Sequence, residues 1–328
     1  MTEFKSPIRL IGGAKGNHCN YPLQIDPYGN GCSNGCTYCY AHSLLGFRKH
    51  WNPIPFESDI QKIRKQFQDA FDKNRTTKTA ELLKRRVPIR IGGMTDPFVS
   101  NELESRKMLE LLQVFIDYNY PHIIFTKGAM SADSEYLELY DPDLTYIQIS
   151  VTGEDAHLLE PNASTTQERL KAVETLVSAN IRTAVRIAPI IPIWPDGTLS
   201  LGIEPTFKFN YFNFDFVNTI LSTNPDIVIG EMCRFTPFVI KQFDEIKLNV
   251  RPLFNEHSIK ESATIFYSTA ERLAYYERIK EMCDSHNTAF SVCELNDFEA
   301  FKHLWAIQDD CCGMKGTIKG GDKTWWTS

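Results

Sequence analysis

The chain has 328 residues, 35 Lys and Arg against 41 Asp and Glu, a formal net charge of −6, and 42% hydrophobic residues. That balance excludes an intrinsically disordered chain and a globally basic nucleic-acid coat. It leaves room for one large α/β barrel or two smaller domains. No run is apolar enough to span a bilayer, and the opening Met1 to Pro7 lacks the apolar centre of a signal peptide. Nine cysteines without such a signal point to a reducing, cytoplasmic setting, where thiols serve metals or chemistry rather than disulfides.

In chain order, residues 1 to 30 form an irregular lead-in that contains Cys19, with Leu23 to Ile25 as a short first strand. The turn-rich Asp26-Pro27-Tyr28-Gly29-Asn30 then leads into Gly31-Cys32-Ser33-Asn34-Gly35-Cys36-Thr37-Tyr38-Cys39-Tyr40. Three cysteines at C-x3-C-x2-C spacing on one loop can converge on a polynuclear centre, for which iron–sulfur clusters are the usual occupants. Three ligands rather than four leave one iron open. A structural zinc site wants four ligands, usually with a second distant pair, and none is evident nearby. Cys19, thirteen residues upstream, reads as an ordinary small core residue. A helix starts near Ala41, and His42 on it is as well explained by packing as by chemistry.

A polar helical segment is expected from about Ile60 to Lys84, with Ile60, Ile63, Phe67 and Phe71 on its inward face. Ten Lys or Arg lie between Gln61 and Arg90 against three acids. This stripe suits either phosphate contact or, more simply, a solvated helical face. Val87 to Gly93 is an apolar run ending in glycine, as expected of a buried parallel strand. Ser100 or Asn101 is placed to cap the following helix, whose inward face is Met108, Leu111, Leu112 and Phe115.

Strands are then expected at His122–Lys127, Thr145–Val151, Arg182–Ala188 and Asp226–Gly230, with helices at Ser134–Tyr140, Thr165–Ala179 and Phe214–Leu221. This alternation means a parallel sheet with crossover helices outside it. About six such units give a partial (β/α)6, TIM-like barrel over residues 1–235, with 236–328 as a C-terminal extension packed on it. The extension holds a helix near Ser268–Ser285 and a strand at Ala289–Cys293. Functional residues belong at the strand ends.

The cysteine spacing with its aromatic neighbour resembles the signature of the radical S-adenosylmethionine (SAM) superfamily. Four further places resemble its spore photoproduct lyase-like and DNA-repair-photolyase-like group: Cys39-Tyr40-Ala41, Gly92-Gly93-Met94-Thr95-Asp96-Pro97, Phe125-Thr126-Lys127, and Ile149-Ser150-Val151-Thr152 with Leu159-Glu160-Pro161. Arg186 to Pro192 is similar to a strand of uncharacterised photolyase-like members. The resemblance covers about two thirds of the chain.

It implies a [4Fe–4S] cluster on Cys32, Cys36 and Cys39, with SAM on the open iron. Reduction by a partner such as flavodoxin or ferredoxin then yields a 5′-deoxyadenosyl radical that abstracts a substrate hydrogen. Carried over by position, Gly92, Gly93 and Thr95 line the methionine moiety, and Lys127 pairs with its carboxylate. Ser150 contacts the ribose or carboxylate, and Tyr38 and Arg186 complete the cofactor set. Arg186 sits in an apolar strand and needs a partner if buried, either Glu160 or Glu231. Tyr40 is positioned to relay a hydrogen atom or simply to pack beside the cluster.

One departure stands out. The hydrogen-donating cysteine that spore photoproduct lyase carries in the loop matching Gly92 to Asp96 has no counterpart here. Instead the chain ends with Asp309-Asp310-Cys311-Cys312-Gly313, and Cys293 precedes it. Three readings stand: an auxiliary iron–sulfur cluster, a catalytic thiol at Cys311 or Cys312 that reaches the active site, or inert thiols. Nucleobase or nucleic-acid modification leads as the substrate class. Radical tailoring of a peptide or small metabolite, and a non-catalytic iron–sulfur carrier, are the alternatives. The aromatic run Phe207 to Phe214 suits a stacked base or an apolar pocket equally.

Overall fold

A computed structural model describes residues 8–11, 21–47, 49–193, 211–254, 258–261, 263–294, 297–308 and 310–314. Cys19, the stretch 207–210 and the tail from Lys315 onward lie outside the described residues.

Seven strands run parallel and neighbour one another in chain order: β1 (Leu23–Ile25), β2 (Ile89–Ile91), β3 (His122–Thr126), β4 (Thr145–Ser150), β5 (Arg182–Ile190), β6 (Ile227–Met232) and β7 (Ala289–Val292). A two-residue strand, Arg9–Leu10, adds antiparallel to β1 at one edge. Sequential order means every crossover turns the same way, so the helices gather on one face and leave the other as the inner face of a partial barrel. The first six strands are those expected from the sequence. The strand of the C-terminal region, β7, joins the same sheet beside β6.

The helices follow their own sequence signals. Those longer than one turn, among the described residues, are α1 (Tyr40–Phe47), α2 (Ile60–Phe71), α3 (Lys78–Lys84), α4 (Lys107–Asp117), α5 (Thr166–Ser178), α6 (Phe214–Leu221), α7 (Pro237–Glu245) and α8 (Thr269–Ser285); the helix expected at Ser134–Tyr140 is a single turn, Ser134–Leu137. Capping boxes start α5 (Thr165 with Glu168) and α8 (Ser268 with Glu271), each satisfying two end groups reciprocally.

Two expectations needed correction. The single helix expected over Ile60–Lys84 is two, because Asn74 takes a left-handed conformation and Thr77 caps a new start. Neither Ser100 nor Asn101 caps the helix carrying Met108. Asn101 precedes a one-turn helix, Glu102–Ser105, and makes no side-chain cap bond, after which left-handed Arg106 breaks the chain before α4. The basic stripe on α2 and α3 is laced with acids: Lys62 pairs with Asp59, Arg64 with Asp117, Lys73 with Asp69 and Lys84 with Glu81. It is a solvated helical face.

The register sorts the side chains. Residues paired across parallel strands point the same way, and alternate residues point oppositely. The outer set (Ile91, Ile124, Ile147, Val185, Val228) is buried against the helices. The inner set mixes polar and apolar side chains: Gln24 beside Arg90, Phe125 beside Gln148, and Ser150 beside Arg186. Glu231 lies two residues beyond Ile229, which pairs with Arg186, and Cys293 two beyond Ser291.

Residues 305–308 and 310–314 run along that inner face, from the C-terminal end of β7 to the N-terminal ends of β4 and β5. Tyr146 on β4 donates to the Cys312 carbonyl (2.6 Å), Arg182 on β5 to the Gly313 carbonyl (2.8 Å), and Tyr21 to the Asp310 carboxylate (2.8 Å). The Trp305 indole donates to the Val292 carbonyl at 2.9 Å. This segment is the floor of the inner cavity.

Candidate active site

The loop bearing Cys32, Cys36 and Cys39 lies over the C-terminal ends of the strands, fastened by the loops that follow β2 and β4. From the first, the Thr95 hydroxyl donates to the Gly31 carbonyl (2.7 Å), and Asp96 accepts from the Asn34 amide (3.2 Å). From the second, the Leu159 carbonyl accepts from the Thr37 N–H (2.9 Å), and the Asn162 side chain donates to the Ser33 carbonyl (2.9 Å).

Asp96 is the hub. Beyond Asn34 it accepts from the Thr126 hydroxyl (2.6 Å), the Lys127 N–H (2.6 Å) and the Phe98 N–H (2.9 Å), tying the cluster loop to the ends of β2 and β3. The sequence showed Asp96 only as part of a motif; its anchoring role was visible only in three dimensions.

The glycines of that motif are there for close approach. Gly92 has φ +85°, and a Cβ on it would lie 2.3 Å from the Phe125 carbonyl oxygen. Gly93 presents its carbonyl to the Tyr40 hydroxyl, which donates to it. Tyr40 projects into the open mouth of the cavity, and its hydroxyl is pushed above the usual phenol range, chiefly by desolvation among protein groups that include Arg90 and Asp26. The Thr95 hydroxyl proton is already committed to Gly31, so it anchors the loop rather than offering a free donor. His42 stacks on Trp51 (4.5 Å) and meets Phe238 edge-on, so packing accounts for it.

Lys127, at the end of β3, stands over the Tyr38 ring (5.6 Å) and 3.8 Å from Glu160. Burial lowers its pKa, and the thiols of Cys36 and Cys39 oppose that shift. Glu160, from the loop after β4, is held by Arg169 and by the Thr152 hydroxyl (3.1 Å). Burial pushes its carboxyl up, against the pull of Arg169. The Tyr38 hydroxyl is buried without a hydrogen-bond partner. The Ser150 carbonyl accepts from Arg169 at 3.0 Å.

Further down the inner face, Arg186 donates to Gln148 (3.0 Å) and pairs with Glu231 (3.0 Å), which also holds Arg234. Of the two partners expected for Arg186, Glu231 is the one found; Glu160 belongs to Lys127 and Arg169. Arg90 and Arg186 both lie over the Phe125 ring, 5.3 and 5.6 Å from its centre. The Gln148 amide nitrogen is buried with no partner.

At the floor, Cys293, Cys311 and Cys312 come together. Cys293 interacts with Cys311 and Arg186, and Cys311 with Cys312. Cys293 and Cys311 are partly accessible, whereas Cys312 is 3% exposed. Among the described residues, no three or more His, Cys, Asp or Glu side chains are gathered as a ready site for one metal ion. No helix there is long and apolar enough to cross a membrane.

Comparison with known proteins agrees with this geometry. The radical SAM superfamily matches residues 27–199, just over half the chain and everything from the cluster loop through β5. The radical SAM Nalpha-GlyT isomerase of Pseudomonas phage M6 is 25% identical over 185 residues, 55% of this chain and 36% of that protein. The chain thus matches little more than a third of that relative's length.

Among solved structures, a spore photoproduct lyase mutant with bound AdoMet and dinucleoside spore photoproduct superposes with a TM-score of 0.61. The identity is 14%, over 86% of this chain and 80% of the other. Spore photoproduct lyase complexed with dinucleoside spore photoproduct gives 0.59 at 14% identity, over 87% and 78%. The shared fold and the superfamily match lead to one conclusion: this chain belongs to the radical SAM superfamily and is an enzyme of it.

Proposed function

We propose that Cys32, Cys36 and Cys39 hold a [4Fe–4S] cluster, that SAM binds between it and the inner face, and that the resulting radical takes hydrogen from a nucleobase-containing substrate. The observation that carries this reading is the cluster loop itself: three free thiols on a short backbone clamped to two strand-end loops, with the largely covered side chain of Lys127 beside two of them. A cubane cluster would take one thiolate from each of Cys32, Cys36 and Cys39, and all three thiols are free and partly accessible. When bound, the reduced cluster supplies the electron that cleaves SAM to methionine and a 5′-deoxyadenosyl radical.

The chain's own residues do the rest. Lys127 supplies a point charge for the methionine carboxylate. With Glu160 nearby, it also matches the ammonium–carboxylate pair of an amino acid. Gly92 lets backbone approach closely, and Gly93, Tyr38 and Ser150 line the same region. Tyr40 stands at the open mouth, its hydroxyl fixed on the Gly93 carbonyl.

Deeper in, the guanidinium of Arg186, the Phe125 ring and the unpartnered Gln148 amide suit a ligand with a planar ring and acceptor oxygens. A nucleobase is such a ligand. The spore photoproduct lyase structure whose fold it shares holds a dinucleoside, which supports the same class. The core through residue 235 carries this chemistry, and the described part of the region after it adds β7 and the floor segment. An outside reductant of the flavodoxin or ferredoxin kind supplies the electron.

The salt-bridged stripe on α2 and α3 favours a second reading, a peptide or small metabolite that enters the cavity without a nucleic-acid track. The test is anaerobic reconstitution with iron and sulfide, reduction, and assay for 5′-deoxyadenosine from SAM. Deuterium transfer into 5′-deoxyadenosine from labelled oligonucleotides supports the nucleobase reading, and transfer only from other substrates overturns it. No 5′-deoxyadenosine from a fully loaded, reduced sample overturns the cluster assignment.

A further inference from the structure

We propose that Cys293 and Cys311 form a redox-active dithiol on the cavity floor, with Cys293 as the attacking thiolate and Cys311 as the resolving thiol, and that its reaction partner is a small disulfide. No role in the radical step is needed for this, and it stands whether or not the cluster reading does.

Topology brings the pair together. Cys293 leaves the end of β7, and Cys311 arrives eighteen positions later on the floor segment, held there by Tyr146, Arg182, Tyr21 and Trp305. Both thiols are partly accessible from the cavity. Strand register places Cys293 on the face of Arg186, since Arg186 pairs with Ile229 and Ile229 with Ser291, two residues before Cys293; a guanidinium near a partly exposed thiol is the setting that makes cysteine reactive.

The groups around the pair come from every neighbouring element: Arg186 on β5, Glu231 on β6, Arg234 just after it, Glu294 next to Cys293, and Cys312 on the floor. The neighbouring Cys311 thiol, ahead of the Arg186 charge, pulls Cys293 below the usual thiol range against the opposing effects of burial and Glu231. The same pairing pushes Cys311 up. Cys293 is therefore the readier of the two to lose its proton.

Cys312 is the wrong partner for either. Adjacent residues sit about 3.8 Å apart at Cα, below the roughly 4.4–6.8 Å that a relaxed disulfide spans. Its backbone is also pinned, with the N–H donating to Asp310 at 3.0 Å and the carbonyl accepting from Tyr146.

The exchange balances without further reagents. The Cys293 thiolate attacks one sulfur of glutathione disulfide, that S–S bond breaks, and one glutathione thiolate leaves. Cys311 then attacks the Cys293 sulfur of the mixed disulfide, and its proton goes to the second departing glutathione. Two protein thiols are oxidised to one disulfide, and one glutathione disulfide is reduced to two thiols.

The test equilibrates the full-length protein, cluster-loaded and cluster-free in parallel, with mixtures of glutathione and glutathione disulfide. Remaining thiols are capped with N-ethylmaleimide and peptides are mapped without reduction. The expected result is a Cys293–Cys311 link in both samples. Cys311→Ser should trap glutathione on Cys293, Cys293→Ser should abolish exchange at the floor, and Cys312→Ser should leave the link intact. Arg186→Gln should slow Cys293 alkylation at pH 7 by about fourfold, with lost thiolate partly offset by greater nucleophilicity, and Arg186→Lys should restore most of it. A Cys311–Cys312 link, glutathione carried by Cys312, or no exchange in protein that retains its fold by circular dichroism overturns the proposal.

Discussion

Two groups of three cysteines face each other across one cavity, and they are built in opposite ways. Cys32, Cys36 and Cys39 share eight residues of chain, and their loop hangs from hydrogen bonds to the loops after β2 and β4. Cys293, Cys311 and Cys312 are gathered by the sheet and by a floor segment anchored to β4, β5 and β7. The first set is set by local spacing and suits a ligand larger than any single ion. The second is set by tertiary contacts and lies on the face that carries the Arg186 guanidinium.

The largest expected effect breaks the symmetry between the two sets. Cys32→Ala, Cys36→Ala or Cys39→Ala should each remove nearly all cluster iron and reduce SAM cleavage to background, because a cubane held by two thiolates is poorly retained. Cys293→Ser and Cys311→Ser should keep full iron content. Iron and sulfide analysis of reconstituted protein checks both. Iron lost in proportion from the floor variants would make the floor a second cluster site and end the contrast.

Next in size is the clamp above the cavity. Gly92→Ala forces a Cβ into a left-handed conformation and against the Phe125 backbone oxygen, which cannot yield as a flexible side chain would. About 3 kcal/mol of stability should be lost, measured as a lowered urea midpoint with unchanged m-value. Iron content should fall with it if the loop after β2 holds the cluster loop in place.

These expectations also show what the sequence could reveal. The six leading strands and the cluster loop were legible because each is a local pattern: apolar runs ending in glycine, helical spacing between them, and three cysteines within eight residues. Asp96 was not. Its four hydrogen-bond donors come from three separate segments, and a motif shows identity without partners. Glu160 and Arg169 were missed as the support of Lys127 for the same reason, although an acid in a run bounded by Leu159 and Pro161 was a signal. The floor was half legible: the adjacent cysteines looked out of place for a core, yet only strand register shows that Cys293 and Arg186 share a face.

A smaller effect tests whether the floor is held as firmly as the loop. Tyr146→Phe removes the donor to the Cys312 carbonyl and leaves that buried oxygen unsatisfied, at a cost of about 1–2 kcal/mol. Stability should drop by that amount with cluster iron unchanged, while Cys312 becomes more readily alkylated. If iron content falls as well, the two halves of the cavity are mechanically coupled and the separation drawn above is too clean.

The smallest effect is a slope. Glu294, buried next to Cys293, accepts from the Tyr276 hydroxyl and the Met232 N–H and pairs with Arg272 at 3.3 Å. Burial outweighs Arg272 and raises its carboxyl to about 7. A carboxyl raised in the folded state favours folding while it is protonated. That contribution is complete below the ordinary carboxylate pKa and is lost as pH rises from about 4.5 through about 7. Glu294→Gln cannot ionise, so it should flatten the stability profile across that window while barely changing stability at its acid end. Urea midpoints at several pH values read this directly. The loop after β4, which fastens the cluster loop, has its own raised carboxyl in Glu160, whose stabilising contribution also fades as pH rises. A profile left equally steep by Glu294→Gln would assign the slope to that side of the cavity instead.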